Sequence, residues 1–343
     1  MLSLLERRSL APAAYLRLAD DQPAAPRAAA GGAPTVSIAI PTQRRPDGLA
    51  AAARSTFRQE GVDPRRLELV IVDNDAVPSA RQIAEALAVE APFPVRYVHE
   101  GAPGVANARN AAVAAATGDL IAFIDDDEEA APGWLAALIE TQAVCDADVV
   151  FGPVRARAPA GVVAHRRYLV QFFSREGPDA AGIIAHSYGC GDSLIRRAAL
   201  PDPARPFSPE RNQVGGEDDH LFGEMRRAGA RFAWNPAALV YEDPGAARLT
   251  LDYALARAFA FGQGPTYECA TSRPPDWPGV ARWMAIGAGQ TLVYGALAAV
   301  LWAIRAPDRA FMFDRVARGA GKVLFGGPFA RKFYGLSRGT QTV

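Results

Sequence analysis

The sequence LIAFIDDDEE occupies residues Leu120–Glu129 and joins five apolar residues to a group of five carboxylates. A short apolar run that ends in acids is typical of a buried parallel strand whose carboxyl end opens onto a site. Ligands of open α/β sheets bind just outside that end. Three adjacent aspartates repel one another unless a cation or hydrogen-bond donors share them. The stretch therefore indicates a metal-assisted site centred on Asp125–Asp127. The alternative is a solvated loop whose acids favour the next helix.

The composition bounds the class of protein. Half of the 343 residues are hydrophobic, and Lys+Arg and Asp+Glu balance at 37 each. The chain can therefore bury a sizeable core, its length suggests about two domains, and no global charge favours nucleic acid as a partner. Basic residues are concentrated from Arg305 onward. A basic tail beside apolar segments is a candidate for contact with an anionic membrane surface, and a soluble basic tail is the alternative.

The cysteines and the N-terminus bear on the compartment. Cys145, Cys190 and Cys269 are widely spaced and form no CxxC pair, which argues against a disulfide framework and a structural zinc site. The N-terminus, MLSLLERRSL, carries Glu6 and Arg7 before any long apolar run, unlike a secretory signal. We therefore expect a cytosolic location.

Strand and helix patterns alternate from Thr35 onward, after an extension (residues 1–33) that ends in an Ala/Pro/Gly-rich linker. The predicted strands are Val36–Ile40, Leu67–Val72, Val95–His99, Leu120–Ile124 and Asp148–Phe151. The predicted helices are Asp47–Gln59, Ser79–Glu90, Gly104–Thr117 and Gly133–Cys145. Such alternation indicates an α/β fold, a Rossmann-like, mostly parallel sheet with helices on both faces.

The pattern loosens after Phe151, and residues 153–189 show no clear period. Further strands are predicted at Gly189–Ile195, Arg231–Trp234 and Leu239–Glu242, with a helix at Glu217–Ala228. The α/β domain is therefore expected over residues 34–245, followed by a helical region over residues 246–343.

The helical region contains 22 consecutive uncharged residues, WMAIGAGQTLVYGALAAVLWAI, at positions 283–304. About 20 apolar residues suffice to span a bilayer, and Trp283 and Trp302 stand where interfacial aromatics belong. The segment is rich in Ala and Gly, and basic residues flank both of its ends. We expect a helix lying on or partly entering the membrane, paired with Phe311–Phe325. A full span, and a soluble helical subdomain or oligomer interface, are the alternatives.

Polar side chains also follow the other predicted strands. They are Thr42 and Arg45 after the first strand, which Pro41 ends, Asp73 and Asn74 after the second, and Arg109 on the helix before the acidic strand. This set, on one edge of a sheet, suits a nucleoside diphosphate. Asp and Asn would contact base and ribose, Arg109 the phosphate, and a divalent cation would bridge phosphate to Asp127. Singly, each residue is equally typical of a turn or a solvated helix face.

Acidic residues also open the predicted helix Glu217–Ala228. Acids at a helix N-terminus are favourable against the dipole, which is the simple explanation. At helical spacing, however, Asp218 shares a stripe with Leu221, Phe222 and Met225, whereas Asp219 points away. A carboxylate at the rim of an apolar core is a candidate general base.

Five motifs together resemble a family 2 glycosyltransferase with the GT-A fold, over roughly residues 34–245. They are VSIAIPTxxR at 36–45, LVIVDN at 69–74, GVANARNAA…GDLIAFIDDD at 104–127, CGDSLIRRAAL at 190–200, and GEDDHLFGEMRRAG…NPAALVYE at 216–242. The resemblance implies a UDP-, GDP- or dTDP-linked sugar donor, Mg²⁺ or Mn²⁺, inversion at the anomeric carbon, and a glycan or lipid-linked acceptor in bacterial surface-polysaccharide synthesis. It places the enzyme in the cytoplasm, at the inner face of the membrane.

The resemblance also assigns roles to residues. Catalysis falls to Asp218, as base, and Glu217, and the metal to Asp125, Asp127 and Glu242. The donor would contact Pro41, Thr42, Arg45, Asp73, Asn74, Arg109, Asp125, Asp126 and Asp192. Within the acidic stretch we expect Asp125 and Asp127 to be the working pair, with Asp126 facing the other side. Glu128 and Glu129 would cap the helix after Pro132.

Two departures from the family pattern leave alternatives open. The first motif contains Gln43-Arg44 where the family usually has an aromatic residue and Asn or Lys. Glu242 replaces a His that often serves as an additional metal ligand, and a carboxylate is an adequate, harder ligand. The competing hypotheses are a sugar-nucleotide nucleotidyltransferase, whose Gly- and Lys-bearing triphosphate loop is not matched by PTQRRPDG, and a catalytically degenerate, membrane-bound assembly partner.

Overall fold

The computed structural model describes residues 33–212 and 215–329, so the predicted extension over residues 1–33 lies almost wholly outside the described residues. The chain divides into two compact units. The sheet unit contains the chain up to Arg155 together with Arg175–Glu242, and the helical unit contains Ala156–Ser174 and the chain from Asp243 onward. The second unit thus begins beside the predicted boundary at residue 245. It also recruits residues 156–174, which the sequence pattern left in the α/β domain.

The elements of the described residues follow the predicted order closely. The strands are β1 (Val36–Thr42), β2 (Leu67–Asp73), β3 (Val95–His99), β4 (Leu120–Phe123), β5 (Glu128–Ala130), β6 (Val149–Phe151), β7 (Val154–Ala156), β8 (Gly182–Ile184), β9 (Ser193–Arg196), β10 (Phe232–Trp234) and β11 (Val240–Glu242). The helices are α1 (Pro46–Phe57), α2 (Arg81–Glu90), α3 (Val105–Ala115), α4 (Trp134–Cys145), α5 (Arg166–Phe173), α6 (Glu217–Arg227), α7 (Leu251–Thr271), α8 (Trp277–Ala303) and α9 (Arg309–Val323).

The main sheet is mostly parallel, as predicted. Its strands lie in the order β3-β2-β1-β4-β9-β6-β10-β8. Strands β1 to β4 and the β6–β10 pair are parallel, whereas β9 runs antiparallel between β4 and β6. Two apolar clusters cover the two faces of the sheet. The runs in β1 and β2 are buried on both faces because helices pack on each side, which explains their continuous apolar sequence.

A small second sheet, in the order β5-β11-β7, corrects one prediction. Glu128 and Glu129 do not cap the next helix, because they lie in β5 and pair antiparallel with β11. The residue before α4 is Gly133, which offers no side-chain cap. The pairing is long-range, so a local pattern could not indicate it. It turns Glu128 inward, where the residue is only 4% exposed.

The helical unit is packed through glycines. A Cβ added to Gly287 on α8 would lie 2.6 Å from the Gly319 carbonyl oxygen on α9, and one added to Gly321 would lie 2.1 Å from the Phe259 carbonyl oxygen on α7. Helix backbones approach this closely only where side chains are absent. The predicted C-terminal helical region is therefore confirmed, and α8 and α9 pair as expected.

Helix α8 is, among the described residues, the one that is long and apolar enough to cross a bilayer by length and composition. Several of its large side chains are exposed, namely Leu292, Val293, Leu297, Val300 and Trp302. Large apolar side chains that cluster on an exposed surface are unusual where that surface faces water.

Candidate functional site

The carboxyl ends of β1, β2 and β4 meet at one edge of the main sheet. Thr42 is opposite Asp73 in the parallel ladder, and the N–H of Ile124, just after β4, donates to the carbonyl of Ala39 in β1. The acidic stretch therefore emerges beside the ends of the first two strands. This edge holds most of the residues that the sequence predicts to bind a donor.

Arg45 and Thr42 connect the first strand to the acidic stretch. Thr42 donates its hydroxyl to Asp126 at 2.8 Å, and Arg45 Nη1 donates to Asp126 at 2.9 Å and to Asp127 at 2.8 Å. Burial raises the pKa of Asp126 to about 6, against the opposing charge of Arg45. Asp126 is turned toward Thr42 of β1, and Asp127 turns to the same arginine as Asp126.

Asp73 and Asn74 build the wall beyond β2. Asp73 is fully buried and accepts hydrogen bonds from the Ala80 N–H and the Tyr97 hydroxyl, among others. The Asn74 side chain donates to the Ala102 carbonyl and accepts from the Gly104 N–H at 2.7 Å. In this structure both predicted contact residues shape the wall of the site through contacts with the protein's own groups.

The predicted phosphate residue, Arg109, lies among carboxylates. It is buried, pairs with Glu217, and has nitrogens 3.8 Å from an Asp125 oxygen and 3.9 Å from an Asp218 oxygen. Burial raises the pKa of Glu217 to about 7, even though Arg109 opposes the shift. Arg109 thus joins the acidic stretch after β4 to the acidic start of α6. Sequence spacing of more than 100 residues could not reveal that contact.

Asp218 lies at the rim of this buried group. Its side chain is about 20% exposed, whereas Asp219 is exposed to a greater extent. One carboxylate oxygen accepts from the Cys190 N–H at 3.2 Å and the other from the Asp219 N–H at 2.9 Å. The neighbouring Leu221 is completely buried. The orientation fits a carboxylate that is held by backbone donors and remains accessible.

The segment that carries Cys190, which we call the glycine loop (Gly189–Asp192), passes directly against the acidic stretch. A Cβ on Gly191 would lie 2.7 Å from Asp125 Oδ2, so a side chain there would displace the Asp125 carboxylate. Asp192 was predicted to contact the donor, but it is fully buried. Its carboxylate accepts from the Trp134 indole N–H at 2.6 Å and lies 3.3 Å from Arg175. The structure therefore places Asp192 beneath the site rather than on its open face.

Glu128 is the main acidic residue that sequence reasoning missed. Its carboxylate accepts from the Asp125 N–H at 2.8 Å. Burial and the neighbouring Asp125 raise the pKa of Glu128 well above its usual range, and burial raises that of Asp125 as well. Glu242 stands directly opposite Glu128 in the β5–β11 ladder, and directly opposed residues share one face of a sheet.

The donor set fits the predicted cation chemically. Across residues 33–212 and 215–329, no three acidic, His or Cys side chains already stand in a ligand arrangement. Nevertheless seven carboxylates surround the site against three guanidinium groups, which belong to Arg45, Arg109 and Arg175. The seven are Asp125, Asp126, Asp127, Glu128, Asp192, Glu217 and Asp218. Burial raises the pKa values of Asp125, Asp126 and Glu128, and a hard divalent cation would stabilise their ionised carboxylates.

Known proteins resemble this chain in sequence over much of its length. The family model described as glycosyl transferase family 2 matches residues 37–202. The succinoglycan biosynthesis protein ExoM of Rhizobium meliloti is 38% identical over 229 residues, covering 66% of this chain and 73% of that protein. A pre-mycofactocin glycosyltransferase of Mycobacterium tuberculosis is 28% identical over 214 residues, covering 61% of this chain and 42% of that protein.

Among solved structures, the mannosyltransferase PcManGT from Pyrobaculum calidifontis, in complex with GDP-Man and Mn²⁺, superposes with a TM-score of 0.56. The alignment covers 86% of this chain and 88% of that chain at 18% sequence identity. At that identity the likeness shows a shared fold.

Proposed function

The chain belongs to glycosyl transferase family 2, and we propose that it moves a sugar, with inversion, from a nucleoside-diphosphate donor to a hydroxyl of a glycan or lipid-linked acceptor. The relative ExoM is named for succinoglycan biosynthesis, which supports synthesis of a surface polysaccharide as the setting. The observation that carries the proposal is the arrangement of Asp218, which is held by the Cys190 N–H beside Arg109 and close to Asp125.

Asp218 is proposed as the general base. A base must lie within hydrogen-bond reach of the proton that it abstracts, and positioned bases contribute typically about 10²–10⁴-fold to a rate. Asp218 is oriented by two backbone N–H groups and remains about 20% exposed, so it can accept a proton from an acceptor hydroxyl. Glu217 is buried against Arg109 and supports this geometry from beneath.

Asp125 and Asp127 are proposed to hold Mg²⁺ or Mn²⁺, with Glu242 and Glu128 completing the oxygen donors. A cation bound there would neutralise the negative charge of the departing diphosphate. Asp127 shares Arg45 with Asp126, so ion binding and this arginine contact are coupled. The fold neighbour was solved with GDP-Man and Mn²⁺, which supports this part of the proposal.

The nucleotide is proposed to lie along the wall made by the ends of β1 and β2, against Pro41, Thr42 and the Asn74 loop. Asp73 and Asn74 then act by holding the wall in place, since their polar atoms are bonded to neighbouring backbone. Asp192 supports the floor. Arg109 holds the carboxylates of Asp125, Glu217 and Asp218 near one another, and any contact with a phosphate would share the guanidinium with them.

The helical unit is proposed to bring the enzyme to the cytoplasmic face of the membrane. Its residues, 156–174 and 243–343, include 15 Lys and Arg against 6 Asp and Glu. Basic residues near an apolar helix are attracted to anionic lipid. The exposed apolar side chains of α8 would enter the interface or the bilayer.

Calorimetry with UDP, GDP and dTDP, each with and without Mn²⁺, tests the proposal most economically. We expect one nucleotide to bind and its affinity to fall at least about tenfold with excess chelator, because a cation held by these carboxylates would attract the negatively charged diphosphate. A degenerate assembly partner would bind none of the three nucleotides.

Turnover separates the remaining alternative. The matching nucleotide-sugar, incubated with membranes that contain lipid-linked acceptors, should release nucleoside diphosphate and label the lipid fraction. A nucleotidyltransferase would instead consume a nucleoside triphosphate and release pyrophosphate. That second outcome would contradict the proposed function.

A further inference from the structure

One arginine outside the recognised motifs donates hydrogen bonds to the backbone of the glycine loop. Arg175 donates its Nε–H to the Gly152 carbonyl at 3.0 Å and Nη1 to the Gly189 carbonyl at 2.9 Å. Its Nη2 donates to the carbonyls of Gly191 at 2.8 Å and Asp192 at 2.9 Å. A single guanidinium thus bonds four carbonyl oxygens, three of them in one stretch of four residues.

The backbone of Arg175 is itself fixed. It forms both hydrogen bonds of an antiparallel bridge with Val154, at 2.8 and 3.0 Å. The side chain is about 16% exposed, and its guanidinium carbon lies 5.8 Å from the centre of the Tyr188 ring. Arg175 therefore has a fixed backbone, and its side chain holds the loop through hydrogen bonds.

The Ser193 hydroxyl also donates to the Cys190 carbonyl at 2.6 Å, but Arg175 bonds three of the loop's four carbonyls. Two of its four residues are glycines, which lose the most conformational freedom on ordering. Asp192 adopts a left-handed φ of 52°, which is costly for a residue with a side chain. The bonds from Arg175 to the carbonyls of Gly191 and Asp192 hold the chain in that conformation.

Both the proposed base, Asp218, and the proposed cation ligand Asp125 contact this loop. The Cys190 N–H donates to Asp218 at 3.2 Å, and Gly191 packs against Asp125 Oδ2. A shift of the loop would therefore move the hydrogen-bond donor of the proposed base and the surface that confines the acid proposed to hold the cation. The nucleotide wall, by contrast, is built from β1 and β2, which Arg175 does not contact in the described hydrogen bonds.

We propose that Arg175 is a positioning residue for sugar transfer: it fixes the glycine loop so that the Cys190 N–H orients Asp218 while Gly191 confines Asp125. The inference rests on the proposed function for its kinetic consequence. It acts on the geometry of Asp218 and Asp125 rather than on the contacts between the nucleotide and the wall, because the loop meets those two carboxylates and not β1 or β2.

The test compares two arginines that bond carbonyls. Arg175→Lys keeps the charge but replaces a planar fork of five donors by a compact ammonium, which cannot reach four carbonyls together. The matched control is Arg166→Lys, since Arg166 bonds the carbonyls of Ala158, Pro159 and Val162 within the helical unit. Both variants are made in the full-length protein, and kcat, KM for the donor and calorimetric affinity for the nucleotide are measured.

We expect Arg175→Lys to lower kcat by roughly 10- to 100-fold, since misplacement of reacting groups by about 1 Å can cost 10²-fold. Nucleotide affinity measured in excess chelator, where a cation on Asp125 contributes nothing, should stay within about twofold of wild type, and Arg166→Lys should leave kcat, KM and this affinity within about twofold. An unchanged kcat in Arg175→Lys would overturn the inference. A parallel loss of kcat and of the affinity measured in chelator would also overturn it, because it would indicate general disruption.

Hydrogen exchange separates failure of this inference from failure of the proposed function. Peptides covering Gly189–Asp192 should exchange faster in Arg175→Lys than in wild type, whatever the reaction. If the wild-type enzyme transfers no sugar from UDP-, GDP- or dTDP-linked donors, the proposed function fails while exchange still reports on the loop. Unchanged exchange in this segment would show that Arg175 does not hold it, and the inference would fail alone.

Discussion

The sheet unit and the helical unit differ in charge balance and in where their buried ion pairs and exposed apolar side chains are concentrated. Over the sequence of the sheet unit from residue 34, 28 Asp and Glu face 18 Arg, whereas the helical unit has 6 acids against 15 Lys and Arg. In the sheet unit, carboxylates and arginines are buried in contact with one another. In the helical unit, large apolar side chains of α8 are exposed.

The contrast indicates a division of labour. Buried charges are costly unless they are paired and hydrogen-bonded, so their concentration at one strand edge is typical of a site whose groups are held ready for chemistry. Exposed apolar surface is typical of a binding face. We therefore propose that the sheet unit carries the chemistry and that the helical unit determines where it takes place.

The largest expected effect tests the role of α8. Leu292→Glu with Val300→Glu replaces two side chains that are 75% and 58% exposed. Burial of two such side chains contributes roughly 3 kcal/mol in total, so affinity for phosphatidylglycerol-containing vesicles should fall on the order of 100-fold. Cosedimentation of the full-length protein measures this loss. Val144→Glu, at a valine of the sheet unit that is 79% exposed, should leave vesicle binding unchanged. Equal binding by both variants would contradict the membrane role.

The glycine contacts between helices give the next effect. Gly287→Ala would place a Cβ 2.6 Å from the Gly319 carbonyl oxygen, whereas Gly289, on the same helix, has open space around it. Overpacking costs typically about 1–3 kcal/mol, and alanine in an exposed helix position is more favourable than glycine by up to about 1 kcal/mol. Urea unfolding should therefore show that Gly287→Ala is destabilised and that Gly289→Ala is neutral or stabilised. Equal stabilities would mean that α8 and α9 do not pack this closely.

Expressed per pH unit, the smallest effect concerns the buried carboxylate of Asp192 in the sheet unit. Burial raises the pKa of Asp192 from 3.8 to about 7, against the charge of Arg175. Between these values the folded state holds a proton that the unfolded state has lost, so this group stabilises the fold at low pH. Its contribution is lost as the pH rises from about 4 to about 7.

Asp192→Asn removes this proton uptake. The free energy of unfolding should then fall less steeply with pH over that window, by up to about 1.4 kcal/mol per pH unit relative to wild type. The control is Asp179→Asn, at an exposed position. Denaturation midpoints at several pH values provide the measurement. Parallel pH profiles for wild type and Asp192→Asn would exclude a buried, protonated Asp192.

The sequence predicted the parts of the molecule that depend on local pattern. Continuous apolar runs located β1, β2 and β4, and the polar residues after them correctly indicated one edge of the sheet. The family and the GT-A fold, predicted from five motifs, are confirmed by the comparisons. These features are readable because each follows from the spacing of residues that are close in the chain.

The features that were missed depend on distant pairing. Glu128 became part of the site because β5 pairs with β11, about 110 residues away. Arg175 stands in a stretch without period, and its partners are carbonyl oxygens, which leave no trace in sequence. Arg109 was predicted to contact a phosphate, and its pairing with Glu217 could not be predicted, because that contact requires α3 and α6 to be brought together. Tertiary contacts of this kind decide what each polar side chain does.

The central claim is that the sheet unit carries sugar transfer through Asp218. Neighbouring acids on α6 allow a direct test, since Asp218 contacts the Cys190 N–H whereas Asp219 is exposed. Single-turnover transfer from the bound donor should be slowed by about 10²–10⁴-fold in Asp218→Asn, with nucleotide affinity within about twofold of wild type, and should be unchanged in Asp219→Asn. Near-full transfer by Asp218→Asn with donor binding intact would contradict the account.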